Sequence, residues 1–83
     1  MTIVDVFTIV GRGVVVVGPF LGALPHTGDR LLVAEGGRVI HEAQFSGIEW
    51  MRRTDGSSDV LGVLLTGVEK ASVHNGQTLT IAP

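Results

Sequence analysis

Apolar and polar side chains alternate from Thr2 to Val10. On an extended chain Ile3, Asp5, Phe7 and Ile9 share one face, and Val4, Val6, Thr8 and Val10 share the other. Gly-Arg-Gly at positions 11–13 interrupts the run, because glycine admits the dihedrals of a tight turn or bulge. Val14 to Val17 then run without a polar residue, so both faces of this strand are apolar. It ends at Gly18-Pro19, since proline has no N–H to give to a ladder. LPHTGDR reads as a turn, Arg30 to Ala34 as a short strand, and EGGR as a two-residue hairpin loop. Val39 to Trp50 is a long strand in which Ile40 and Phe45 point to opposite sides. The polar RRTDGSSD is a loop, VLGVLLTGV another strand, HNGQ a second hairpin signal, and TLTIA a closing strand. No segment has a helical period. The pattern predicts one all-β domain over residues 1–83, with about six strands spaced as in a small barrel or sandwich.

Composition narrows this in three ways. A chain of 83 residues has a thin core, and with aromatics at 5% that core is built from Val, Leu and Ile, filled out by Phe7, Phe20, Phe45 and Trp50. The formal net charge of -2 argues against coating DNA or RNA through phosphates alone, and leaves room for a small local contact. The absence of cysteine, of a basic start in MTIVDVFTIV and of any apolar run of membrane-helix length gives a cytoplasmic protein as the expectation, with no membrane partner.

The ordered blocks VDVFTIVGRGVVVVG, TGD, FSGIEWMRR, LGVLLTGV and NGQTL resemble the second domain of bacterial elongation factor Tu and related translation GTPases. They cover nearly the whole chain. The resemblance implies a closed Greek-key β-barrel. It does not extend to the GTPase: there is no Gly-x-x-x-x-Gly-Lys-[Ser/Thr] phosphate loop, and the only lysine, Lys70, lies in GVEKAS. The expectation is therefore a free-standing barrel with no cofactor and no enzymatic activity.

In that family the barrel helps to hold the aminoacylated 3′ end of tRNA. By resemblance Glu49 matches a glutamate that lies against the terminal adenine. Val60 stands where the family has an asparagine that helps to hold the amino acid, which puts aminoacyl recognition in doubt. Arg12, Glu49, Arg52 and Arg53 are thus the RNA-binding candidates. Arginine offers a planar fork of donors to phosphate, and Trp50 beside Arg52 and Arg53 offers a stacking surface. Each has a plainer reading. Arg12 would pair with a carboxylate of the same barrel, Glu49 would be a solvated or paired carboxylate, and Arg52 and Arg53 would be a solvated loop. His26, His41 and His74 lack the spacing of metal ligands, and Ser72 with His74 lacks the elbow and oxyanion hole of a nucleophile site, so no metal and no catalytic residue is assigned.

The valine strand carries the remaining expectation. Val14, Val17, Leu21 and Leu32 stand where the family tends to have polar side chains, so the outside of the barrel is apolar. A buried valine is worth about 1.5–3 kcal/mol over an exposed one, and a contiguous exposed patch invites association. These residues predict an interface with a second copy of the chain or with another protein. The functional expectation is a non-enzymatic binding module acting through protein contacts or self-association, without DNA as a partner. The alternative is RNA binding, to the aminoacyl-tRNA 3′ end or the ribosome.

Overall fold

The computed structural model describes residues 1–19, 24–53 and 59–83, with residues 50–53 and 59 described by their backbone alone. Six strands form one antiparallel sheet: β1 (Asp5–Ile9), β2 (Gly13–Pro19), β3 (Arg30–Glu35), β4 (Arg38–Arg53), β5 (Asp59–Thr66) and β6 (Thr78–Ile81). One 3₁₀ turn among the described residues, Lys70–Ser72, precedes β6 and packs against β1. No helix among the described residues is long and apolar enough to cross a membrane.

Local chemistry explains the turns. Gly36 and Gly37 sit at φ 59° and 82°, the pair of positive values that a two-residue hairpin between β3 and β4 requires. At Gly-Arg-Gly, Arg12 N–H donates to the Ile9 carbonyl at 3.0 Å and turns β1 into β2. In LPHTGDR, Asp29 N–H donates to the His26 carbonyl, while the Asp29 carboxylate accepts from His26 N–H at 2.8 Å. That turn is pinned to β4 by Gly28 N–H on the Phe45 carbonyl and Phe45 N–H on the Asp29 carbonyl.

The strand order is β1-β2-β5-β4-β3-β6. β4 joins the two halves. Its first part pairs with β3 and its second with β5, and Gln44 is the register partner of both Arg30 and Thr66. Three register shifts, at Ile40, Ser46 and Glu49, bend this long strand. The smallest extent of the molecule is 22 Å, far more than a single flat sheet, so the sheet curls around its core.

The expected barrel closure is not made by a β1–β6 ladder. β1 and β6 are the two ends of the pairing order, and the residues ahead of β1 lean across to β6 instead. Thr2 and Thr78 form an isolated bridge, with Ile3 N–H on the Gln77 carbonyl and Leu79 N–H on the Met1 carbonyl, both at 2.8 Å. The Met1 ammonium donates to the Leu79 carbonyl. The chain changes sides at Val4, whose N–H bonds the Val17 carbonyl on β2. This change also breaks the alternation read from the sequence. Ile3 lies in the same core cluster as Val6's contacts, whereas Phe7 and Ile9 pack on the opposite face. HNGQ makes the expected turn but not a hairpin. β5 is flanked by β2 and β4, and β6 pairs with β3.

Two apolar clusters lie on the two faces of β2. The main core contains Val14 and Val16 with Ile3, Leu31, Val33, Phe45, Leu61, Val63, Leu65, Val73 and Leu79. The second contains Val15, Val17 and Leu64, with Phe7, Ile9 and Val60 packed against it. Register accounts for the second: Phe7 on β1, Val15 on β2 and Leu64 on β5 stand in one cross-strand row. Val15 is 0% exposed, and Val14 and Val17 are each 4% exposed within the single chain. The interface expected at Val14 and Val17 is therefore corrected: this chain covers both faces of its own valine strand. Leu32 is half-buried on β3 between Glu42 and Thr80, and Leu21 lies outside the described residues.

Candidate functional site

Two of the four RNA-binding candidates meet. Arg12 sits at the tip of the β1–β2 turn, and Glu49 is the extra residue of a β4 bulge, between Ile48 opposite Val63 and Trp50 opposite Gly62. Arg12 Nη2 lies 2.6 Å from Glu49 Oε1. Because β5 separates β2 from β4 in the sheet, the pair links the β1–β2 turn to β4 across β5. A bulge re-aims the side chain it carries, and this one turns Glu49 toward the hairpin tip.

The pair is unequal. The Arg12 side chain is 56% exposed and that of Glu49 only 16%. Glu49 Oε1 is buried, and among the described residues no N–H meets it in hydrogen-bond geometry despite the short approach of Arg12. The contact is thus held by charge and proximity rather than by a linear hydrogen bond. Such a geometry stabilises less than a two-pronged arginine–carboxylate pair. In this structure Arg12 and Glu49 each neutralise the other.

Arg52 and Arg53 lie on β4 rather than in the expected loop, opposite Val60 and Asp59. Their side chains, and that of Trp50, lie outside what is described, as does the remainder of the loop at 54–58. Val60 packs against the second apolar cluster. Val60 therefore serves here as an apolar filler beside Val15, Val17 and Leu64.

The histidines fall in a turn, a strand and a turn, as the pattern predicts. His26 Nδ1 is 3.8 Å from Asp29 Oδ2, an exposed pair of little energetic weight. His41 is half-buried on β4 opposite Val33. His74 is different. Its Nε2 is 2.7 Å from Glu35 Oε1 and 3.3 Å from Gln77 Nε2, and Gln77 is completely buried. The sequence reading missed this cluster. His74 and Gln77 flank the Asn-Gly turn and were legible as neighbours, but Glu35 is 39 residues away and only the β3–β6 pairing brings it there. Among the described residues no group of three His, Cys, Asp or Glu side chains could hold a metal ion.

No protein-family model matches this chain.

Proposed function

We propose that this chain is a non-enzymatic binding module, a β-sheet domain of the translation-factor barrel type that works through protein contacts. The observation that carries this reading is the contrast along β4 between paired charges and bare apolar side chains. Glu42 and Glu49 are met by Arg30 and Arg12, while Val39, Ile40 and Ile48 remain 52%, 36% and 40% exposed. Charged side chains engaged with one another have little left for substrate chemistry. Exposed β-branched side chains on a strand gain free energy when a partner covers them. With Val14 and Val17 buried inside the chain, self-association is the simplest form of such contact only if it uses these β4 side chains. Sedimentation velocity across the micromolar range tests it. The expected result is concentration-dependent association that Val39→Lys with Ile48→Lys removes. A monomer at every concentration, alone and with candidate protein partners, would defeat the reading.

A second reading keeps one supporting observation. The Arg12 side chain is 56% exposed beside Glu49, and an exposed guanidinium offers a fork of donors to an RNA phosphate. This supports binding of an RNA end at Arg12 and Glu49, as the family resemblance implies. Titration with aminoacyl-tRNA, followed by Trp50 fluorescence and by a salt-dependent gel shift, separates the two. The protein-contact reading expects neither to respond.

A further inference from the structure

Glu35 closes β3 where it turns into β4, and His74 opens the turn that leads into β6. Between them lies Gln77, whose side-chain orientation is fixed by chemistry. His74 N–H donates to Gln77 Oε1 at 2.8 Å. A backbone N–H can only donate, so the oxygen end of the amide is committed there. Its NH2 end is the one that lies 3.3 Å from His74 Nε2. An amide nitrogen is a donor, so this contact is a bond only when Nε2 carries no proton. The same Nε2 lies 2.7 Å from Glu35 Oε1, and an ionised carboxylate is an acceptor, so that contact needs Nε2 to be protonated. One ring nitrogen cannot serve both partners.

Burial decides which partner prevails in each state. Gln77 is 0% exposed, so an NH2 group left without an acceptor there is costly. The Glu35 side chain is 55% exposed and is solvated by water when it loses the ring. With neutral imidazole, the favoured tautomer has its proton on Nδ1, and Nε2 accepts from Gln77. With imidazolium, both nitrogens carry protons and Nε2 donates a charge-assisted bond to Glu35.

We propose that His74 is a proton-operated switch that exchanges its Nε2 partner, from buried Gln77 when neutral to Glu35 when protonated. The switch sits where the amino-terminal segment is held. Ile3 N–H donates to the Gln77 carbonyl, and Gly76 N–H donates to the Ile3 carbonyl, each at 2.8 Å. Protonation therefore ties the β3–β4 turn to the same short turn that fastens residues 1–3 to β6. Among the described residues Glu35 is the one acidic group within ion-pair reach of His74. Arg38 on β4 is the cross-strand partner of Glu35, and the Met1 ammonium is occupied by the Leu79 carbonyl. The proposal stands apart from the binding function proposed above.

NMR on uniformly ¹⁵N-labelled protein tests it, following the His74 ring nitrogens and the Gln77 side-chain amide through a pH series from acid to alkaline. The wild-type arm needs no variant to fold. At the alkaline end His74 is expected as the Nδ1–H tautomer, and the Gln77 NH2 resonances are expected to move with the same midpoint as the ring. At the acid end a slowly exchanging Nε2–H is expected, lost in Glu35→Gln while the alkaline tautomer is unchanged. An Nε2–H tautomer at the alkaline end would overturn the proposal. So would Gln77 resonances that stay still while His74 titrates, or an acid-end Nε2–H that persists in Glu35→Gln.

Discussion

If one chain covers both faces of its valine strand, truncating the outer face must cost as much as truncating the inner one, at any protein concentration. Val15→Ala and Val16→Ala make the comparison. Both side chains are 0% exposed; Val15 belongs to the cluster with Leu64 and Phe7, and Val16 to the main core. Each substitution removes two buried carbons, about 1.6 kcal/mol at ~0.8 kcal/mol per group. A cavity that closes only in part brings the loss to about 2–4 kcal/mol. In a domain of this size that lowers Tm by roughly 10–25 °C. Urea or thermal unfolding followed by circular dichroism, at low and at high micromolar protein, measures it. The two variants are expected to fall within about 1 kcal/mol of each other, since the chemistry removed is the same and the spread comes from local relaxation. A Val15→Ala loss below about 0.5 kcal/mol, the range of ordinary surface changes, would refute the reasoning. So would a stability that rises with protein concentration, because it would mean that another chain supplies the cover.

The remaining expectations probe the seam, the ion pair and the exposed strand. Gly18→Ala is expected to destabilise by about 1–3 kcal/mol, because the added methyl meets the Thr2 carbonyl oxygen, backbone that cannot swing aside; hydrogen exchange should show the Ile3 and Leu79 amides losing protection first. Arg12→Ala leaves a mostly buried carboxylate unpaired and is expected to cost about 1–3 kcal/mol, more than Glu49→Gln. The double variant should then recover part of the loss, a coupling of at least about 0.5 kcal/mol in a double-mutant cycle of urea midpoints, whereas strict additivity would count against the pair. Val39→Lys lies on an exposed position and is expected to change stability by no more than about 0.5 kcal/mol by thermal melting, so any effect on sedimentation reports on association rather than on folding.

Period and punctuation in the chain determined much of this molecule. The run of β-branched residues, the glycine pairs and the prolines set an all-β domain of six strands, because backbone preference and turn chemistry act over a few residues and need no partner. Gly36-Gly37 could be nothing but a hairpin turn, and Gly-Arg-Gly turned where expected. What lies across the sheet was decided by tertiary structure alone. Four consecutive valines announced two apolar faces, but only the tertiary structure shows that both are buried within the single chain, with Phe7, Val15 and Leu64 side by side on one of them. The site behaved likewise. Arg12 and Glu49 were both legible as candidates, yet that they meet follows from the β2-β5-β4 order and from a bulge that re-aims Glu49. Glu35 and His74 carry no mutual signal in the chain, since the contact depends on β3 pairing with β6 and on a glutamine buried between them. Alternation fixes which way a side chain points within its own strand; which strand stands next to it is settled only when the sheet assembles and long-range pairing chooses the neighbours.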